Sequence, residues 1–75
     1  MAFRETDPVL SMQARIARLY RQRHDMGISE FLDLDRKVDI LGFIEIGYGP
    51  FHLMGDEGIL DEVDDYCSRR LGQVS

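Results

Sequence analysis

Residues 51 to 67, FHLMGDEGILDEVDDYC, concentrate the side chains of this sequence that could perform chemistry. The stretch holds His52, six carboxylates and Cys67, which is the only cysteine in the 75 residues. Imidazole, carboxylate and thiolate groups can bind a metal, transfer protons or attack a substrate as nucleophiles. The same residues could instead form an acidic helix with one apolar face, so their spacing has to decide between the two interpretations.

The spacing within this stretch does not fit a metal site. In a calcium loop that begins at Asp56, Gly58 falls where an oxygen ligand is needed, and Cys67 falls where a bidentate glutamate is required. No Glu-x-x-His motif is present for a carboxylate-bridged pair of metals. His24 and His52 are too far apart in sequence for a metalloprotease helix. We therefore predict no metal ligand and no cofactor.

A catalytic role for this stretch is not favoured either. His52 could act with Cys67 or with Asp56, since these residues lie on neighbouring predicted helices. Cys67, however, falls on a predicted apolar stripe, where a free cysteine is mostly an inert small hydrophobe. A carboxylate such as Asp56 at a helix N-terminus usually stabilises the helix dipole. We predict that the protein is not an enzyme and has no catalytic residue, and a small enzyme that uses His52 stays open as a third alternative.

Capping signals and apolar stripes divide the chain into four helices. Asp7 is a good N-cap before Pro8, and apolar residues then recur at spacings of three and four until Gly27, which is predicted to end the helix in a left-handed conformation. Ser29 is predicted to cap a second helix and Asp39 a third. The predicted helices cover residues 8–25, 30–38, 40–54 and 57–71.

The third predicted helix contains the sequence GYGP, which weakens it. Gly47 and Gly49 are poor helix formers, and Pro50 cannot donate the backbone hydrogen bond of a helix interior. We predict a kink at Gly49–Pro50 rather than an end, because the residues that follow are too few for a separate helix. Asp56 is expected to cap the fourth helix and Gly72 to close it.

Four short helices joined by tight turns indicate an all-α fold, a compact helical bundle. The whole chain, 1–75, is expected to form one helical domain, with residues 1–6 as a flexible N-terminal tail. A single core of this size supplies only about 3–5 kcal/mol of stability. Partner binding would help to stabilise so small a core.

Charge is distributed unevenly along the chain. Residues 1–24 carry five arginines and two acids, whereas residues 25–75 carry four basic and twelve acidic side chains, which gives the net charge of −5. An acidic chain argues against nucleic-acid binding, which depends on phosphate neutralisation. No stretch is long and apolar enough for a membrane span, and the lone cysteine is typical of the reducing cytoplasm. The two charged segments suggest internal complementarity or head-to-tail association.

Three stretches resemble a family of short bacterial proteins known as domain of unknown function 3791. They are ARLYRQRHDMGIS, ISEFLDLDRKVDILGFIEIGY and FHLMGDEGILDEVDDYC, and the similarity spans about residues 9–67. The chain departs from the family at GYGP, where members have an unbroken run of helix formers and aromatic residues. The family is often encoded beside another family that resembles ADP-ribosyltransferases, which implies a small partner or an antitoxin-like role. His52, Gly55 and Asp64 match the family motif, which gives them no role.

These observations predict a cytoplasmic protein–protein interaction module, with antitoxin-like neutralisation of a neighbouring enzyme as one form of that role. A self-associating structural homo-oligomer, in which the arginine-rich first helix meets the acidic fourth helix of a neighbour, is the alternative. A homodimer is one such assembly, whereas nucleic acids and membranes are not expected partners. The predicted contacts are aromatic residues and a histidine, together with carboxylates of the acidic helix: Tyr48, Phe51, His52, Asp61, Glu62, Asp64, Asp65 and Tyr66.

Overall fold

The computed structural model of the protein describes residues 7–74, so the predicted tail at residues 1–6 lies outside the described residues. Five helices follow one another along the chain: α1 (Pro8–Arg23), α2 (Ile28–Val38), α3 (Ile40–Ile46), α4 (Tyr48–Phe51) and α5 (Asp56–Val74). The part of the chain that is described contains no strand. The all-α class and the helical bundle are therefore confirmed. No helix within 7–74 combines the length and the apolar character needed to cross a bilayer.

The start of α1 is the predicted one, and its end is not. The Asp7 carboxylate accepts hydrogen bonds from the N–H groups of Val9 and Leu10, at 3.0 and 3.3 Å. The helix ends at Arg23, and the residue with positive φ in the following turn is Asp25, at 50°. The prediction that Gly27 ends the first helix in a left-handed conformation is wrong, because aspartate tolerates that conformation and the chain turns earlier.

Gly27 instead marks the start of α2. Its φ is −77°, and its N–H donates to the Glu30 carboxylate at 2.7 Å. The helix begins at Ile28, so the prediction that Ser29 is the cap is wrong, and Ser29 lies inside the first turn. The Glu30 carboxylate accepts the N–H of the residue that precedes the helix, which differs from the hydrogen bond that a serine cap would accept from the first turn.

Asp39 joins α2 to α3 as predicted, and the next helix is shorter than predicted. Asp39 has a φ of 60°, and its carboxylate accepts the N–H of Gly42 at 3.1 Å. The single kinked helix over 40–54 is replaced by α3, a break at Gly47 and the one-turn helix α4. The break therefore precedes the predicted Gly49–Pro50 position. Pro50 lies in the first turn of α4, where a backbone N–H has no intrahelical acceptor.

The ring of Phe51 explains why the break falls at Gly47. A β-carbon at Gly47 would lie only 2.7 Å from a ring carbon of Phe51, which is 6% exposed. Only glycine leaves room for that ring to reach the core.

At the far end of the chain, α5 runs through Gly72 to Val74, so the prediction that Gly72 closes the helix is wrong. An exposed glycine inside a helix costs about 1 kcal/mol, which does not by itself end the helix.

All five helices contribute side chains to one core. The stripe of α1 consists of Met12, Ile16 and Tyr20, at 0–4% exposure. The remaining buried residues come from the other four helices: Phe31, Val38, Ile40, Ile44, Phe51, Ile59, Leu60, Val63 and Cys67. Helix α1 packs mainly against α3 and α5. One groove remains between α1 and α4, and another between α1 and α2. These grooves and the contact between α1 and α5 contain the residues of functional interest.

Candidate functional site

Three of the predicted contact residues, Tyr48, Phe51 and His52, line one groove. This α1–α4 groove has a volume of about 530 Å³. Its lining comes from α1, α4 and the turn after α4: Pro8, Ser11, Met12, Arg15, Tyr48, Phe51, His52 and Met54. Met12 and Phe51, at 4% and 6% exposure, form its apolar floor. The structure therefore places these three predicted residues on one concave surface.

One rim of the α1–α4 groove is aromatic. The rings of Tyr48 and His52 stack with their centroids 5.2 Å apart and their planes 13° from parallel. His52 is exposed, and its Nδ1 lies 3.2 Å from the Tyr48 carbonyl, which can accept a hydrogen bond from it. The next residue, Leu53, is 81% exposed. This rim therefore exposes the flat faces of two stacked rings and the apolar side chain of Leu53.

The opposite wall of the groove carries Arg15. Its Nε donates to the Asp56 carboxylate at 3.1 Å, and the two side chains are 40% and 43% exposed. The terminal N–H groups of this guanidinium make no hydrogen bond to any residue within 7–74. A guanidinium can engage a carboxylate through two parallel hydrogen bonds. The terminal N–H groups of Arg15 can therefore donate hydrogen bonds to a second carboxylate.

The structure gives His52 neither of the partners considered for catalysis. Its recorded hydrogen bond is to the Tyr48 carbonyl, and Asp56 is paired with Arg15. Cys67 is 5% exposed, and burial raises the pKa of its thiol, which keeps it protonated beside the Tyr20 hydroxyl. Over the described residues, no cluster of three or more histidine, cysteine, aspartate or glutamate side chains is arranged to hold a metal ion.

Two of the predicted carboxylates, Asp61 and Asp64, form ion pairs with Arg23 at the end of α1. One terminal nitrogen of Arg23 donates to Asp61 and Asp64 at 3.0 and 2.8 Å, and the other donates to Glu57 at 2.7 Å. The Nε2 atom of His24 lies 2.7 Å from the second Asp64 oxygen. We call these five residues the α1–α5 clasp. They realise the internal complementarity that the charge distribution suggested.

The electrostatics of the clasp follow from its geometry. Burial acts to raise the pKa of Asp64, but hydrogen bonds from Arg23 and His24 outweigh it, so this pKa lies below its ordinary value. Hydrogen bonds to Asp64, Asp61 and Glu57 raise the pKa of Arg23. The clasp joins three carboxylates to one guanidinium across two helices, so with His24 neutral it remains acidic while it holds α5 to α1.

The remaining predicted residues on α5 have different surroundings. Asp65 pairs with Arg69 one turn along the helix, whereas Glu62 is exposed and has no ion pair within the described chain. The Tyr66 hydroxyl donates to the Val38 carbonyl, and its ring stacks on Phe43 with centroids 4.0 Å apart. Tyr66 thus ties α5 to the end of α2, and its polar group is used inside the protein.

A second groove was missed by reasoning from the sequence. This α1–α2 groove, with a volume of about 300 Å³, lies between the two helices that name it. Leu10, Ile28 and Leu32 are 62%, 52% and 44% exposed along it. The full lining is almost entirely apolar: Leu10, Gln13, Ala14, Ala17, Ile28, Phe31, Leu32 and Leu41. The sequence signal was a second stripe on the first helix, at positions 10, 14 and 17, beside the stripe that enters the core.

Over residues 7–74, the fold and its surfaces define a class of protein: a small all-α protein with open grooves along its first helix. Within that class, the chain matches the family described as "Protein of unknown function (DUF3791)" over residues 12–70, and it belongs to this family. The match confirms the resemblance seen in the three quoted stretches. No curated protein and no solved structure matches the chain.

Proposed function

We propose that this protein is a protein–protein interaction module that binds another protein through the α1–α4 groove. The observation that carries the proposal is the groove itself, because an open apolar floor, an aromatic rim and an arginine with unused donors meet in one place. Its volume of about 530 Å³ falls within the roughly 300–1,000 Å³ that is usual for binding pockets.

The lining indicates the chemistry of the partner. An apolar side chain would be buried against Met12 and Phe51, and Met54 at the edge can change rotamer to fit it. A carboxylate next to that side chain would accept the terminal N–H groups of Arg15. The partner segment is therefore an exposed loop or chain end in which an apolar residue adjoins an acidic one.

The acidic helix α5 was predicted to contribute carboxylates to the interface, and this proposal gives it a different role. Asp61 and Asp64 share the Arg23 guanidinium, and Asp65 pairs with Arg69, so we assign these carboxylates mainly to contacts within the chain. Tyr66 acts through the fold and not through the interface. The proposed contacts are accordingly reduced from the predicted set to the residues of the α1–α4 groove.

The setting that we propose is the cytoplasm, where the lone, buried Cys67 would stay reduced. The resemblance implied an antitoxin-like role toward an enzyme encoded nearby. In that form of the function, the module would occlude the surface of the enzyme that carries the apolar and acidic residues. Partner burial over the groove would also add stability to a core that supplies only about 3–5 kcal/mol on its own.

The test is a quantitative pull-down with the tagged full chain, followed by affinity measurement with the captured protein. We expect stoichiometric capture of one protein, with Arg15→Glu and His52→Ala each weakening its binding about tenfold or more. Lys37→Glu is the matched control for the charge reversal, since Lys37 is exposed and lies outside the groove. Equal affinity of the two groove variants and the parent protein would overturn the proposal, as would the absence of any captured partner.

The two alternative functions, a self-associating homo-oligomer and a small enzyme, rest on other residues of the chain. Head-to-tail association of the arginine-rich helix with an acidic helix of a neighbour is disfavoured, because the clasp already satisfies Arg23 within one chain. A small enzyme that uses His52 remains a prediction. Its test is His52→Ala in a cellular assay of a phenotype that depends on this protein. An unchanged phenotype with His52→Ala would remove that alternative.

A further inference from the structure

The α1–α2 groove is an almost wholly apolar surface that no helix of the described residues covers. Leu10, Ile28 and Leu32 together expose large side chains along it, around the small residues Ala14 and Ala17. Contiguous exposed apolar surface of this kind marks an interaction site more often than an ordinary solvent face. It is separate from the α1–α4 groove, which uses the opposite flank of α1 at Ser11 and Arg15. The groove therefore needs an occupant of its own.

We propose that the occupant is a second copy of this chain, with the two α1 helices packed antiparallel across a two-fold axis near Ala14. Positions 7, 10, 14, 17 and 21 are spaced by three and four residues, so they share one face of α1. A two-fold interface brings the same patch of both copies together. On this face, the axis at Ala14 places Asp7, seven residues before it, opposite Arg21 of the other copy, seven residues beyond it.

The side-chain sizes on this face are self-complementary. Leu10 projects, at 62% exposure, whereas Ala14 and Ala17 are small. In the antiparallel arrangement, the two Ala14 residues meet at the axis, and Leu10 of each copy lies about 1.5 Å along the helix axis from the level of Ala17 of the other, a shift of one residue. Small residues at the crossing let two helices approach closely. Ile28 and Leu32 then extend the apolar contact from the neighbouring helix on both sides.

The charges at the two ends of the face are complementary as well. Asp7 stands at the start of α1 and Arg21 near its end, so an antiparallel pair sets each Asp7 beside the other copy's Arg21. Both groups have bonding capacity left for such a contact. Asp7 uses Oδ1 for the helix cap, and Arg21 uses Nε for the Met26 carbonyl, which leaves Oδ2 and the terminal nitrogens available. Two ion pairs per dimer would therefore fix the antiparallel orientation.

This charge pattern favours a second copy over an unrelated helix. An unrelated partner would need its own acid, base, large residue and small residues in the matching order. A second copy supplies all four by symmetry, because one face contains both members of each complementary pair. The dimer goes beyond the proposed function and does not depend on it, since neither interface shares a residue with the other.

The test is sedimentation equilibrium of the full chain over a range that reaches about 200 μM. We expect a dimer with twice the 8.7 kDa mass of the monomer. Ala14→Glu should raise the dissociation constant about a hundredfold, since it places two carboxylates together at the axis, and Arg21→Glu should raise it about tenfold. Ser68→Glu and Lys37→Glu are the matched controls on exposed faces outside the groove, and both should leave the dimer unchanged.

The orientation has its own readout. Ala14→Cys should oxidise to a disulfide-linked dimer, whereas Ser68→Cys should form no disulfide between copies under the same conditions, because the axis passes only by position 14. Circular dichroism checks that each variant is folded, and Arg21→Glu carries the test if Ala14→Glu unfolds. A monomer at the highest concentration would overturn the proposal, and so would a dimer that none of the α1 variants weakens. If the parent protein forms the dimer but captures no partner in the pull-down, that result would count against the proposed function alone.

Discussion

The hydroxyl group of Tyr66 is the most informative single group to remove, because it connects helices that are distant in sequence. It donates to the Val38 carbonyl at the end of α2 and lies 3.3 Å from the Asp39 carbonyl. The change Tyr66→Phe deletes only this hydroxyl. The stacking of the ring on Phe43, at 4.0 Å between centroids, should persist, since phenylalanine has the same ring. The variant therefore isolates one hydrogen bond.

The magnitude follows from what the hydroxyl satisfies. A hydrogen bond inside a protein contributes about 0.5–1.5 kcal/mol net, and a buried acceptor left without a donor costs about 1–3 kcal/mol. Val38 is fully buried, at 0% exposure, so little water can replace the lost donor. We expect Tyr66→Phe to lower the free energy of unfolding by about 1–2 kcal/mol. Against a total of about 3–5 kcal/mol, such a loss raises the unfolded fraction roughly tenfold.

Urea denaturation followed by circular dichroism measures this difference, with the m-value checked for a change in the denatured state. The matched control is Tyr48→Phe, because no hydrogen bond of the Tyr48 hydroxyl is found within residues 7–74. This control should stay within about 0.5 kcal/mol of the parent protein. If Tyr66→Phe shows no larger loss than Tyr48→Phe, the reasoning that assigns Tyr66 to the fold is refuted. Tyr66→Phe should also leave partner capture intact.

Three further predictions concern the clasp, the break after α3 and the cysteine. Because its pKa is lowered in the folded protein, ionised Asp64 should stabilise the fold above its unfolded pKa of about 3.9, and this contribution should vanish as pH falls through the lower folded value. Urea midpoints of the parent protein and Asp64→Asn should therefore converge as the pH falls below about 3.9, and a constant gap would contradict this. Gly47→Ala should lower the free energy of unfolding by about 1–3 kcal/mol, because the added methyl group would clash with the Phe51 ring. Gly49→Ala is the matched control, and it should be neutral or stabilising because its methyl group meets open space. Equal melting temperatures of the two variants would show that position 47 does not require glycine. Burial raises the pKa of the Cys67 thiol, so a thiol reagent at neutral pH should label it far more slowly in native buffer than in urea, and equal rates would show that it is accessible.

Local signals in the sequence were sufficient for the helices and for much of the core. Asp7 and Asp39 act as caps because a carboxylate reaches backbone N–H groups two or three residues away, which needs no tertiary contact. The stripe containing Met12 and Ile16 recurs with the helical period, so its burial could be read from spacing alone. The family was recognisable for the same reason, since its quoted stretches are continuous segments.

The helix ends that were predicted wrongly depend on contacts that spacing does not contain. Asp25 took the left-handed turn expected of Gly27, because either residue tolerates that conformation and the local sequence does not choose between them. The break at Gly47 depends on where the ring of Phe51 is buried, which is a property of the packed core. The sequence pattern therefore did not determine the residue at which each helix ends.

The candidate surfaces depended most strongly on tertiary structure. The sequence by itself determined that the chain is helical, acidic overall and basic near its start, because those properties are local or additive. Only the packed fold decided that Arg23 meets Asp64, 41 residues further along. The fold also decided that Leu10 stays in contact with solvent while Met12 enters the core. Exposure is set by which other helix covers a face, and that arrangement arises from the helices packing together.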